Sequence, residues 1–259
     1  MLCLHKVSRR FLWEGTWTTP ARLGAAVDHL RERGYSFITE SEYLDALDRR
    51  EQTRNGPDRR LFVTFDDGYE DVYREAFPIL GERGIPFHVF VVTDFVGQAN
   101  TWDLSLGRRP SRHASWDEIG EMASAGVTFG AHTASHRDLT RLSATDAACE
   151  MTQSRDALAA HLGKAPRTVS YPFGRYNHAA KEAARDSGFD AAFSLYPPHG
   201  NEYIDRYALR RNGVYIIDPA WILPTKLGHG AMFWFEEMKC RTINAVAALT
   251  PLLKGSRRS

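Results

Sequence analysis

An α/β fold built from parallel βαβ units is what this chain predicts, and three observations carry it. Short runs rich in β-branched and aromatic residues alternate with capped, amphipathic stretches, the pattern of strands joined by crossover helices. About seven such units fit in the 259 residues, which suits one barrel-sized domain. Three of the apolar runs end abruptly in polar residues, and parallel barrels carry their chemistry at the C-terminal ends of the strands.

The elements follow in order. Met1-Leu2-Cys3-Leu4-His5-Lys6-Val7 reads as a first strand. Thr18-Thr19-Pro20 caps a helix over Ala21 to Arg33, which Gly34 ends. Tyr35 to Thr39 is a short strand, Ser41 to Arg50 a second helix, and Arg49 to Arg60 a charged, solvated loop. Leu61 to Phe65 is the next strand, and Tyr69 to Arg83 reads as helical with a kink or break at Pro78. Phe87 to Val92 is a strand, Ser115 to Ala125 a capped helix, and Val127 to Gly130 a strand. Ser143 and Asp146 cap a long helix reaching Leu162. Thr168 to Tyr171 is a strand, Asn177 to Ser187 a helix, Asp190 to Leu195 a strand, and Val214 to Ile217 the last strand.

One stretch has no periodicity. Thr93 to Ser115 is too long to be a plain connection in a compact domain, so it is expected to be functional or mobile, and it is read as a lid or rim over the site. It holds Trp102, whose ring suits either stacking on a ligand or anchoring the loop. Residues 1–230 are expected to form the barrel, and 231–259 a C-terminal helix and basic tail packed on or beside it. The apolar run Met232 to Leu253, followed by Lys254, Arg257 and Arg258, would also suit peripheral membrane contact.

Composition removes several classes of function. Hydrophobic content of 43% and charged content of 25% are ordinary globular values. A net charge of +1 argues against nucleic-acid binding. No run of about 18 apolar residues signals a transmembrane helix. Cys3, Cys149 and Cys240 are scattered, which gives neither a disulfide framework nor a cysteine metal site. No pattern specifies an oligomeric state.

The chemistry gathers at the strand ends. Thr64-Phe65-Asp66-Asp67-Gly68 places two carboxylates at the end of a buried strand, which costs several kcal/mol unless a cation or donors compensate. Neighbours in an extended chain point opposite ways, so Asp66 and Asp67 must do different jobs. His132 and His136, in His132-Thr133-Ala134-Ser135-His136, are four apart, so one helical turn would put both rings on one face. Two histidines and a carboxylate suit Zn²⁺ and leave a position for water, and other divalent ions such as Co²⁺ and Ni²⁺ accept the same set. A third strand ends in Tyr171-Pro172-Phe173-Gly174.

With these three motifs in this order, the chain resembles the NodB-homology polysaccharide deacetylases of carbohydrate esterase family 4, from about Leu2 to about Gly213. The resemblance implies a distorted (β/α) barrel and a metal-dependent hydrolase that removes an N-acetyl group from an amino sugar. It implies Asp67, His132 and His136 as metal ligands and Asp66 as general base. It also implies an oxyanion donor at the Phe173 N–H, with Tyr171, Pro172, Phe173 and Trp102 toward the substrate. Leu4-His5-Lys6-Val7 is similar to the Tyr-His-x-Val of the exopolysaccharide branch, so His5 is expected to line the site.

Departures from the family pattern are also legible. The usual Arg-x-Pro-Tyr is here Ser170-Tyr171-Pro172-Phe173, so the arginine that holds the base is absent there, and Arg210 and Arg211, just before the last strand, are the candidates to supply that cation from elsewhere. No counterpart of the late Asp-x-x-Asp-Trp motif is found. The general acid is open between His5 and His229, the latter in Leu227-Gly228-His229. These departures keep two alternatives in view: cleavage of formyl groups or cyclic amides at the same metal site, and an inactive saccharide-binding barrel. The short apolar start leaves no room for a signal peptide. Cytoplasmic action on a saccharide precursor is therefore expected.

Overall fold

The computed structural model describes residues 1–12, 15–49, 59–101, 110–195, 205–227 and 238. The expected C-terminal helix and tail, Trp102 and His229 lie outside these residues.

The strands are β1 (Leu2–Leu4), β2 (Lys6–Val7), β3 (Trp17–Thr18), β4 (Ser36–Ile38), β5 (Arg60–Phe65), β6 (His88–Val91), β7 (Thr128–Ala131), β8 (Thr168–Ser170), β9 (Ala191–Ser194), β10 (Leu209–Arg210) and β11 (Asn212–Gly213). The helices are α1 (Pro20–Glu32), α2 (Glu40–Asp48), α3 (Phe77–Glu82), α4 (Trp116–Ser124), α5 (Ala144–Leu162), α6 (His178–Asp186) and α7 (Leu223–Leu227). No described helix is long and apolar enough to cross a membrane.

One parallel sheet runs in the order β10-β9-β8-β7-β6-β5-β1-β11, with β4 beside the first half of β5; β2 and β3 pair separately. The two ends of this path belong to one stretch of chain. β10 pairs with β9 and β11 pairs with β1, so Leu209–Gly213 closes a nearly complete barrel. Arg211 sits at the crossover, its N–H donating to Ser194 O at 2.9 Å, while Asn212 N donates to Met1 O at 3.1 Å. Counted this way the barrel has the expected seven runs, with β4 as an extra partner.

Strand periodicity sorts the side chains. On β5, Phe62, Thr64 and then Asp66 share a face by the two-residue repeat. That face meets Phe90 of β6 and Phe193 of β9, whose rings lie 5.5 Å apart, and both contact Phe62 or its neighbours with Ile38, Leu44 and Leu209. The larger apolar layer lies on the other face, where Leu61, Val63 and Phe65 meet Leu30, Leu80, Met122 and Leu158 from the helices. Each fully buried aliphatic or Phe side chain contributes about 1.5–3 kcal/mol.

Local signals set most helix starts. Thr39 and Ser115 form capping boxes with Glu42 and Glu118, and Ser143 Oγ accepts from Asp146 N at 3.1 Å.

One expectation is refined and two need correction. Tyr69 to Arg83 is helical as expected, running from Glu70 to Glu82, and the break at Pro78 takes the form of a wide π-turn over Val72–Ala76 just ahead of it, where Phe77 N donates to Val72 O; Tyr69 itself pairs with His113. The last strand ends at Gly213 rather than covering Val214 to Ile217. There Asp218 accepts the Tyr215 N–H at 2.8 Å and pairs with buried Lys226, turning the chain away from the sheet. The described flanks of the Thr93 to Ser115 stretch are also more ordered than the sequence suggests: Gly97 N donates to Ala114 O (2.9 Å), His113 N to Gln98 O (2.9 Å) and Asn100 N to Ser111 O (2.8 Å), so 97–101 and 110–114 pair as the two arms of a hairpin.

Candidate active site

The strand ends deliver two adjacent clusters. The first is centred on Asp66, which continues the inward face of β5 and is 2% exposed. The Arg211 guanidinium forks onto it: Nη1 donates to Oδ1 and Nη2 to Oδ2, both at 2.7 Å. Arg211 Nη1 also donates to Thr64 Oγ1 (3.0 Å) and Nη2 to Ser170 Oγ (2.6 Å). Ser170 Oγ and Cys3 Sγ donate in turn to Asp66 Oδ2 at 3.1 and 3.5 Å. Below the fork the guanidinium carbon lies 5.1 Å from the Phe90 ring centre and 5.7 Å from that of Phe193.

The cation left open between Arg210 and Arg211 is therefore Arg211. Arg210 belongs to the other parity of the closing strand and is partly exposed. Burial by itself raises the Asp66 carboxyl, but the Arg211 charge, then His132, and the Arg211 hydrogen bonds outweigh it and hold Asp66 well below the usual carboxylate range. Burial raises Cys3 well above the ordinary thiol value, so it stays a neutral donor.

The second cluster is Asp67, His132 and His136. Asp67 leaves the strand with φ of 71°, which turns its side chain away from that of Asp66 and back over the strand ends. Its Oδ1 lies 3.3 Å from Nε2 of both His132 and His136. One donor atom from each of the three residues falls within 4.8 Å of the others, and all three are buried. The histidines do not reach this point by a helical turn, as their spacing suggests. The chain bends sharply instead, with φ of 64° at Thr133 and 58° at His136. His132 Nδ1 donates to Ser170 O at 2.7 Å, which fixes Nε2 as the free-pair nitrogen facing Asp67.

The second cluster fits a divalent cation. Asp67 Oδ1 is buried without a hydrogen-bond donor among the described residues. Burial raises Asp67, but the two histidines facing it hold it well below the usual range, so the cluster is anionic when the imidazoles are neutral. Cys3, His5 and Asp66 also bring ligand-type atoms within 4.8 Å of one another. That group does not suit a cation, because Arg211 already occupies both Asp66 oxygens.

The remaining expected residues are placed as follows. His5 lies beside the carboxylates, with a buried Nδ1 that has no partner among the described residues. Burial lowers its basicity, an effect that Asp67 and then Asp66 partly oppose. Pro172 and Phe173 form a tight turn after β8, Phe173 has φ of 58°, and its ring centre is 4.7 Å from that of His136. Tyr171 is fully buried and donates its hydroxyl to Tyr207 O at 2.9 Å, so its side chain belongs to the packing and not to an open surface.

Sequence reading missed Thr64 and Ser170, although the two-residue period of β5 and β8 already puts both on the Asp66 face. It also missed Glu150 of α5, which accepts Ser135 N at 2.8 Å and the Ser135 hydroxyl inside the histidine loop. No local signal marks that contact.

Known proteins resemble this chain in sequence and fold. The poly-β-1,6-N-acetyl-D-glucosamine N-deacetylase of Staphylococcus aureus (strain MRSA252) is 27% identical over 187 residues, covering 67% of this chain and 61% of its own. The chain thus spans less than two thirds of the length of the curated relatives it matches. The structure of IcaB from Ammonifex degensii superposes with a TM-score of 0.68 at 27% identity, covering 87% of this chain and 94% of that one. The Streptococcus pyogenes deacetylase PplD, solved in complex with acetate, gives a TM-score of 0.72 over 88% of this chain and 97% of that one. At 22% identity the PplD likeness speaks for the fold alone. The polysaccharide deacetylase family profile matches residues 53–192, more than half of the sequence, and the chain belongs to that family.

Proposed function

We propose that this protein is a divalent-metal-dependent hydrolase that removes the N-acetyl group from an amino sugar in a saccharide or saccharide precursor. The observation that carries the reading is the convergence of Asp67, His132 and His136 on one buried point beside the Arg211-clamped Asp66. Zn²⁺ is the proposed ion, with Co²⁺ or Ni²⁺ accepted by the same donors.

Asp67 Oδ1 and the Nε2 atoms of His132 and His136 would hold the ion. When bound, it would polarise the amide carbonyl and acidify a water. Asp66 accepts the proton of the attacking water. The Arg211 fork aims this carboxylate and keeps it ionised across the working pH range, at the cost of some basicity. The turn at Pro172–Gly174 carries the Phe173 ring centre to 4.7 Å from that of His136, and the Phe173 N–H is the proposed donor to the oxyanion. His5 is the proposed group that returns a proton to the leaving amine. Burial holds it neutral at rest, so the proton it delivers is the one Asp66 takes from the water, passed on between two groups whose polar atoms lie within 4.8 Å of one another.

The test is acetate release from N-acetylglucosamine oligomers by metal-loaded and chelator-stripped protein, with N-formyl sugars and cyclic imides as competing substrates. His132→Ala and Asp67→Ala should lose bound metal and activity together. Asp66→Asn should keep metal and substrate binding yet lose nearly all turnover. Full metal occupancy in both ligand variants, or turnover of cyclic imides alone, would overturn the reading.

A further inference from the structure

Asp67 is held from outside the three motifs. Its φ of 71° lies in the left-handed region, where a residue with a Cβ persists only when its surroundings enforce the conformation. The next residue, Gly68, is also left-handed at φ 65°. An anchor on its own peptide stabilises this conformation, and the paired hairpin arms 97–101 and 110–114 supply one.

His113 Nδ1 lies 2.8 Å from Asp67 O. A carbonyl can only accept, so Nδ1 carries the hydrogen. On either side, Ala114 N donates to Gly68 O and Glu70 N donates to Arg112 O, both at 2.9 Å. The His113 ring stacks on Tyr69, with centroids 4.7 Å apart and planes at 26°, and Phe95 lies 5.7 Å away. Asn100 of the same hairpin donates to the Tyr69 hydroxyl, and the buried Lys6 ammonium sits 4.3 Å from the centre of the Tyr69 ring. His113 is 2% exposed, so water does not compete for this bond.

We propose that His113 is a positioning residue for the metal centre: its Nδ1–H clamps the Asp67 carbonyl and so holds the strained backbone that presents Asp67 Oδ1 to the two histidines. The inference rests on the metal-site reading of Asp67. It makes the hairpin root part of the site's geometry, not only its rim.

Two substitutions separate the hydrogen bond from the packing. His113→Asn keeps an N–H close to the place of Nδ1–H but loses the ring that stacks on Tyr69. His113→Phe keeps a ring and loses the donor. Full-length protein is stripped with chelator, titrated with Co²⁺ and followed by its ligand-field absorption, with Tm measured on the metal-free protein. His113→Phe should bind Co²⁺ about 10–100-fold more weakly and with an altered spectrum, the range expected for a lost supporting partner of a ligand. His113→Asn should recover most of that affinity despite a lower metal-free Tm. Wild-type affinity in His113→Phe would overturn the proposal, as would a loss in His113→Asn equal to that in His113→Phe. Should His113→Phe be insoluble, His113→Asn alone decides: lost affinity with the donor retained overturns the clamp. The underlying reading fails separately, when wild type takes up no Co²⁺ or His132→Ala binds it as well as wild type does.

Discussion

Arg211→Met is the sharpest test of the electrostatics. Met is unbranched, of similar reach, and packs well against Phe90 and Phe193, so the change removes charge with little loss of volume. It deletes two donors to Asp66 at 2.7 Å and the donors to Thr64 and Ser170, and it leaves a carboxylate that is 2% exposed without its counter-ion. Removing one partner of a buried pair costs about 3–5 kcal/mol, a fall in Tm of about 10 °C for a domain of this size.

The pH dependence gives the sign. In wild type Asp66 is depressed, so its contribution is present above the unfolded carboxylate value and is lost only as pH falls through the lower folded value. Without Arg211, burial is the largest influence on Asp66 and raises it. The folded protein then binds a proton that the unfolded chain releases, and stability falls as pH rises above the unfolded value. Urea unfolding at pH 5 and pH 8 should therefore show a larger deficit for Arg211→Met at the higher pH. Asp66→Asn combined with Arg211→Met should recover at least about 2 kcal/mol, because the buried charge is gone. A deficit independent of pH, together with additive single and double variants, would refute the argument.

Three further outcomes follow from the geometry. His88 lies inside the barrel, its Nδ1 2.8 Å from Thr128 Oγ1 and its Nε2 3.2 Å from Thr168 Oγ1. Burial lowers it from 6.5, with Glu40 partly opposing, so its stability contribution is present above pH 6.5 and lost as pH falls through the folded value; His88→Gln should flatten the urea midpoint between pH 7 and pH 5. Gly130→Ala would put a Cβ 2.5 Å from both His88 Nε2 and Phe90 Cε1, and should lower stability by about 1–3 kcal/mol, read as a lower Tm. Glu150→Ala leaves the Ser135 N–H and hydroxyl without their acceptor, which should cost about 1–3 kcal/mol and weaken Co²⁺ binding measured against a chelator.

The sequence alone determined the repeating strand–helix pattern, because hydrophobic period and helix caps are local. Most strand positions and the caps at Ser115 and Ser143 could be read within a residue or two, whereas the cap at Thr39 and the closing strand could not. It also marked Asp66, Asp67, His132 and His136, since motif order and strand-end position are properties of the chain. Tertiary structure decided how these residues are held. Arg211 is 145 residues from Asp66 and meets it only because Leu209–Gly213 closes the barrel between β9 and β1. His113 reaches the Asp67 carbonyl through a hairpin whose pairing has no periodic signal, and Glu150 grips the histidine loop from a helix that its own cap and pattern describe without reference to Ser135. Even the histidine pair converged by left-handed bends and not by the helical turn its spacing implies. Local patterns report what each segment becomes, whereas a contact across more than a hundred residues depends on sheet closure and register, which no single segment encodes.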